Sequence, residues 1–237
     1  MDNKLKGKFL FNFLAKDKKN AADIMEAGGG YVVPGIASDQ YQSIDDAISK
    51  VQELKTVTNT ISIGLGGGGD TSNWRKVLDI AAASYAGHLN QPFETASYTQ
   101  GFLEGKEQKQ LVNALVHPTG EKGKIQLANS KKTMSVENFL EIASALEIPS
   151  IKLMPLKGLE HLEELIYLTK MASVYGIRGV EPAGGINLDN IGKIVEGVKD
   201  IDIEFFMPHI FGSAIDSITG NTIPETVKMI YTKVEGL

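Results

Sequence analysis

The sequence predicts a single (β/α)8 barrel. Three observations point there. Eight short apolar runs alternate with helical patterns along almost the whole chain. The 237 residues match the ~250 typical of one such barrel. No linker or shift in composition divides the chain. Repeated strand–helix alternation implies parallel strands, because each return crossing passes through a helix. A doubly wound open sheet shares that alternation, and counting elements does not show closure.

The elements follow in order. The run Phe9–Leu14 precedes a helical pattern over 18–27. Tyr31–Ile36 precedes a helix over 43–54, with Ser43 as its N-cap. Thr60–Leu65 leads through a glycine-rich stretch to a helix over 72–84. Gly87–Asn90 precedes 95–104. After Leu111–Val116 the rhythm breaks at about 117–134, around Gly120-Glu-Lys-Gly123. Ile125-Gln-Leu-Ala128 reads there as one arm of a hairpin. Lying after strand five, this excursion belongs on the catalytic rim, as a lid, an oligomer contact or a solvated loop. Ser135 then caps a helix over 135–147, followed by the run Ser150–Pro155. The helix over 159–175 places Leu162, Leu165, Ile166 and Ala172 on one face. Arg178–Pro182, a helix over 188–198, Phe205–Phe211 and a helix over 224–234 complete the series.

Composition narrows the function. The formal charge is -5, which argues against nucleic acid or an anionic membrane as partner. Only Arg75 and Arg178 of the 24 basic residues are arginines, so lysines and backbone N–H groups must hold any carboxylate or phosphate. There is no cysteine, which rules out disulfides, thiolate nucleophiles and cysteine-bound clusters. No apolar run reaches the ~18 residues of a membrane span. Met1 to Lys8 is polar and lacks a signal-peptide core. A cytoplasmic protein is expected.

Strand parity selects the inward side chains. Alternate residues of a barrel strand face the interior and the helix layer. With Ile151 and Leu153 on the helix side, Lys152 points inward near its strand's C-terminal end. The same parity turns Thr60 and Ser62 inward, then His88 and Asn90, and Asn12 within a run that is apolar on both faces. A lysine inside a barrel is costly unless paired or neutral. Burial depresses its pKa, and the neutral amine is a nucleophile for a carbonyl. The alternative is a structural pairing, for instance with Glu181. Glu181 and His209 are candidate acid/base groups, with His88 a third.

Glycine clusters supply the second signal. Gly184-Gly-Ile-Asn-Leu-Asp-Asn190 follows strand seven, and Phe211-Gly-Ser-Ala-Ile-Asp216 follows strand eight. Barrels commonly bind phosphate there through backbone N–H groups. Gly184, Gly185, Gly212 and Ser213 are therefore phosphate-binding candidates, the Ser213 hydroxyl adding a donor. Gly64-Leu-Gly-Gly-Gly-Gly-Asp70 fits neither the P-loop nor the dinucleotide pattern, and reads as a rim loop that closes on substrate. Lys157, just past its strand, could hold a carboxylate or phosphate.

Ile151-Lys-Leu-Met-Pro155, followed one β/α unit later by Glu181-Pro-Ala-Gly-Gly-Ile-Asn187, resembles the pyruvate-forming class I aldolases that cleave 2-dehydro-3-deoxy-6-phosphogluconate. The chain looks most like their D-glucosaminate-catabolism branch. Val32-Val-Pro-Gly35, Ser62-Ile-Gly-Leu-Gly66, Val112-Asn-Ala-Leu-Val116, Lys157-Gly-Leu-Glu-His-Leu162, Val180-Glu-Pro182 and Met207-Pro-His209 extend the likeness over most of the sequence. The resemblance implies Lys152 as the Schiff-base lysine and Gly184, Gly185, Gly212 and Ser213 as phosphate donors. It implies a phosphorylated keto-deoxy sugar acid as substrate, and a homo-oligomer. Two features depart from the family. Tyr31 to Gln40 lacks the Glu-x-x-x-Arg pattern, and Ala183 stands where those enzymes carry threonine. The acid/base group and the carboxylate anchor must therefore lie elsewhere, and Asn12, Ser62, His88, Asn90 and Lys157 are the substrate-binding candidates.

The expected chemistry is attack by Lys152 on the C2 carbonyl, cleavage of C3–C4, and release of glyceraldehyde 3-phosphate and then pyruvate. It requires no metal or other cofactor, because the iminium is the electron sink. Two alternatives stay open. One is a metal-assisted aldolase or sugar-phosphate epimerase using His88, Glu181 and His209. The other is a phosphosugar-binding barrel without catalysis.

Overall fold

The computed structural model describes residues 8–237. The polar start of the chain, read above for a signal segment, lies outside them apart from Lys8. Ten strands and eight α-helices are described. The strands are β1 (Phe11–Leu14), β2 (Val32–Ala37), β3 (Ile61–Gly64), β4 (Gly87–Pro92), β5 (Leu111–Pro118), β6 (Lys124–Leu127), β7 (Thr133–Ser135), β8 (Ser150–Leu153), β9 (Gly179–Pro182) and β10 (Phe205–Phe206). The helices are α1 (Lys18–Ala27), α2 (Ile44–Leu54), α3 (Trp74–Ser84), α4 (Phe93–Glu104), α5 (Val136–Ala145), α6 (Leu162–Val174), α7 (Ile191–Val198) and α8 (Pro224–Glu235).

The parallel order is β1-β2-β3-β4-β5-β8-β9-β10. The last strand returns to the first. Leu10 N–H donates to Phe206 O at 3.1 Å, Asn12 N–H to Pro208 O at 2.9 Å, and Ile210 N–H to Asn12 O at 2.9 Å. That closure decides for the barrel over the open sheet. The run predicted over 205–211 forms only a two-residue ladder with β9, continued by isolated bridges at His209. Pro208 has no N–H to give a ladder.

The helices start where their caps dictate. Ser43 Oγ accepts from Asp46 N–H at 3.1 Å, and Ser135 Oγ from Asn138 N–H at 3.2 Å. Asp17 caps α1 in the same way, and Pro224 opens α8, a position that needs no N–H. The helix predicted from 159 begins at Leu162, because Lys157 and Gly158 take positive φ in the preceding turn. Between strands and helices, Ile63, Leu89, Ile151, Ile194 and Ile230 are fully buried. Each contributes roughly 1.5–3 kcal/mol over exposure.

The excursion after β5 is an antiparallel hairpin, as Ile125-Gln-Leu-Ala128 suggested. β6 pairs with both β5 and β7. It is not a freely solvated loop, since Ile125 and Ala128 are buried. Two carboxylates pin it. Glu164, itself buried on α6, accepts from Thr119 N–H at 2.7 Å and Gly120 N–H at 3.1 Å. Glu94, at the start of α4, accepts from Asn129 N–H at 3.0 Å and Ser130 N–H at 2.7 Å. No helix among the described residues is long and apolar enough to cross a membrane.

Candidate active site

The parallel register brings the inward polar residues to common levels. Ser62 pairs with His88, Asn90 with Asn113, Asn113 with Ser150, and Lys152 with Glu181. These strands contribute alternate residues to the barrel interior, so the residues meet as one polar cluster in an otherwise apolar core. Lys152 Nζ donates to Asn90 Oδ1 at 2.7 Å and lies 3.0 Å from His209 Nδ1. His209 Nε2 is 2.7 Å from Glu181 Oε2, and His88 Nε2 is 3.1 Å from the same oxygen. Asn113 Nδ2 and Ser150 Oγ also donate to Glu181, at 2.7 Å and 2.6 Å. Ser62 Oγ is 2.8 Å from His88 Nδ1. Lys152 is 5% exposed and Glu181 is 0% exposed.

Burial governs the protonation of this cluster. It lowers the Lys152 ammonium from 10.5 to about 8, although the Glu181 carboxylate pulls the other way. Burial, together with the charge of Lys152, lowers His209 to about 3 against the opposing hydrogen bond that His209 makes to the Glu181 carboxylate. His209 is therefore a neutral imidazole at pH 7. Burial alone would raise Glu181, but His88 and His209 outweigh it and hold the carboxyl well below its ordinary value. A carboxylate accepts and does not donate. His209 must then give Glu181 its Nε2 proton and turn the Nδ1 lone pair to Lys152. His88 likewise turns Nε2 to Glu181, while its Nδ1 meets the Ser62 hydroxyl.

A cavity of about 220 Å³ opens above the lysine, at the C-terminal ends of β2, β3 and β8. Asp39, Asn90, Leu115, Lys152, Met154 and Phe211 border it, with the Gly66–Gly69 loop. A larger cleft of about 680 Å³ lies at the other end of the barrel, near Gly87, Leu111 and Arg178. It touches none of the polar cluster, and barrel enzymes work at the C-terminal face.

The predicted residues distribute as follows. Lys152, Glu181, His209, His88, Ser62 and Asn90 come together. Of the catalytic candidates only Lys152 borders the cavity, and of the substrate-binding candidates only Asn90 does. Asn12 lies inside the barrel, but its amide is spent on Val33 O at 2.7 Å. Lys157 is not in the cluster. It is exposed on the rim and pairs with Glu160 at 3.1 Å. Its backbone abuts Gly185, where a Cβ would come within 2.6 Å of Gly158 N. Gly184 and Gly185 both hold positive φ. The Ser213 hydroxyl corrects an expectation: it donates to Ile186 O at 2.9 Å and ties the two glycine turns together. Among the described residues the N–H groups of Gly185 and Gly212 donate to no protein acceptor. Ser150 was not singled out from the sequence, although it shares the inward parity of Lys152. Asp39 was missed too, because it lies just beyond its strand, where parity no longer applies.

Ligand atoms of His88, Glu181 and His209 lie within 4.8 Å of one another and could hold a divalent cation. The four hydrogen bonds to Glu181 use the same atoms, and the Lys152 ammonium 3.0 Å from His209 opposes a second positive charge there.

Residues 5–218 match the family model described as KDGP aldolase. The chain belongs to the KDGP aldolase family. It is 34% identical over 235 residues to the 2-dehydro-3-deoxy-phosphogluconate aldolase of Salmonella typhimurium (strain 14028s / SGSC 2262), covering 95% of this chain and 94% of that relative. Among solved structures, the KDGP aldolase chain resembles thiamine phosphate pyrophosphorylase from Pyrococcus furiosus, with a TM-score of 0.62 and 12% identity over 99% of this chain and 97% of that one. It also resembles orotidine 5'-monophosphate decarboxylase from Methanocaldococcus jannaschii, with a TM-score of 0.55 and 14% identity over 96% and 98% of the two chains. At such identities these two show the barrel fold alone.

Proposed function

We propose that this aldolase cleaves 2-dehydro-3-deoxy-6-phosphogluconate to pyruvate and glyceraldehyde 3-phosphate through a Schiff base on Lys152. The observation that carries the proposal is the state of that amine. It is buried, its pKa is lowered to about 8, and its nearest acceptors are Asn90 and a neutral His209. The name of the Salmonella relative supports the substrate.

Lys152 attacks C2 as the neutral amine. His209 Nδ1 takes a proton from the attacking nitrogen, and protons from solvent convert the C2 oxygen into the water that leaves, giving the protonated imine. Glu181, fully buried and away from the cavity, acts through His209 by fixing its tautomer and steadying the transient imidazolium. Asn90 orients the amine. The protonated imine then draws the C3–C4 electron pair toward nitrogen, the aldehyde leaves, and hydrolysis releases pyruvate. The phosphate sits on the backbone N–H groups of Gly184, Gly185, Gly212 and Ser213, far from the breaking bond, and contributes positioning energy. The reading includes a single barrel domain in the cytoplasm, working as a homo-oligomer.

Borohydride reduction with pyruvate, followed by peptide mass spectrometry, tests it. A reduced pyruvate adduct on the Lys152 peptide is expected, and its absence from folded protein overturns the Schiff base. The His88–Glu181–His209 triplet favours one rival, a metal-assisted cleavage. In that case dialysis against a chelator would abolish activity and added divalent cation would restore it. The Schiff-base route keeps full activity after chelation.

A further inference from the structure

Aldol cleavage needs a base for the substrate's C4 hydroxyl, and the groups around Lys152 do not offer one. Glu181 and His209 do not border the cavity. Glu181 already accepts four hydrogen bonds, and the two nitrogens of His209 face Glu181 and Lys152. Of the described residues that border the cavity, only Asp39 and Lys152 carry ionisable side chains. We propose that Asp39 is the group that takes the C4 hydroxyl proton as the carbon–carbon bond breaks.

The local structure presents Asp39 for that role. It lies two residues beyond the end of β2, in the short 3-10 turn Ser38–Gln40 at the rim. Its Oδ2 accepts from Gly67 N–H at 2.8 Å. Gly66 holds φ +78°, and a Cβ there would overlap the Asp39 carboxylate. Two consecutive glycines thus admit the carboxylate against the loop and fix one oxygen. Oδ1 has no hydrogen-bond partner among the described residues. An oxygen fixed at the cavity edge by its neighbour can meet a hydroxyl without first being ordered.

The step balances. The hydroxyl proton passes to Asp39, and the O–H electron pair becomes the π bond of the aldehyde. The C3–C4 pair forms the C2–C3 double bond, and the imine π pair returns to nitrogen. The proton on Asp39 is then available for C3. The proposal rests on the aldol-cleavage reading above, but any aldol cleavage needs this proton removed, whether or not an imine forms.

The test is Asp39→Asn, which keeps an oxygen to accept from Gly67, with Asp39→Glu as a second variant. The expected result is a loss of about 100-fold or more in kcat for cleavage, in line with one acid/base group. Borohydride trapping of pyruvate, which has no C4 hydroxyl, should proceed as in the unaltered enzyme, and Asp39→Glu should recover part of the loss. Cleavage by folded Asp39→Asn within about threefold of the unaltered enzyme overturns the proposal. So does a loss of trapping that parallels the loss of cleavage, since Asp39 would then only shape the site. If the unaltered enzyme forms no adduct while Asp39→Asn still loses cleavage, the Schiff base fails and the role of Asp39 stands.

Discussion

Nζ of Lys152 lies 3.0 Å from Nδ1 of His209, and the opposite nitrogen of that ring lies 2.7 Å from Glu181. The order lysine–imidazole–carboxylate assigns each proton. The carboxylate fixes the ring tautomer, the ring offers the amine a lone pair, and burial leaves the amine easier to deprotonate than a surface lysine.

A pH profile follows from that amine. In the proposed Schiff-base route the nucleophile is the neutral form, and burial lowers the Lys152 pKa from 10.5 to about 8. Below the lowered value the neutral fraction rises about tenfold per pH unit. The rate of pyruvate adduct formation should therefore climb from pH 6 toward about pH 8 and then level off. Trapping rates across pH 6–10 check this, and a climb continuing past pH 10 would mean an unperturbed lysine.

Glu181 bears on stability as well as on the proposed chemistry. Replacing it with glutamine puts N–H groups against donors and leaves buried partners unpaired. The expected cost is on the order of 3 kcal/mol, or roughly 6–12 °C in Tm for a domain of this size. The sign with pH is defined. A carboxylate whose folded pKa is depressed contributes stability above its ordinary pKa, and that contribution is lost as pH falls through the folded value. Thermal melts of the two proteins should differ most near neutrality and converge in acid.

Under the proposed phosphate assignment, a change at Gly185 should separate binding from chemistry. Its φ is +77°, and a Cβ would lie 2.6 Å from Gly158 N and 3.2 Å from Lys157 C. Gly185→Ala should therefore distort the turn assigned to phosphate. Losing one hydrogen bond to a charged group is worth about 1.5–3 kcal/mol, so KM for the phosphorylated substrate should rise about tenfold or more. Trapping of unphosphorylated pyruvate should not change. Comparing the two assays on one preparation decides it.

Much of this architecture was legible in one dimension. The alternation of apolar runs and helical patterns reflects local periodicity, which needs no knowledge of partners. Parity placed Lys152, His88, Asn90 and Ser62 inside, because successive strand residues must face opposite sides. Lys157 shows the limit. It follows the lysine strand by a few residues, but the turn at Lys157–Gly158 leaves its side chain on the rim beside Glu160. Ser213 shows another limit, since a hydroxyl read as a phosphate donor is used up by Ile186 O.

The sequence by itself determined the elements, their order and the inward face of each strand, because these depend on residues close together in the chain. Closure of the barrel depended on Leu10 and Asn12 finding Phe206 and Pro208, nearly two hundred residues away. The protonation order of Lys152, His209 and Glu181 was likewise decided only in three dimensions. It depends on distances between strands and on the exclusion of water, and neither is written in the spacing of residues along one strand.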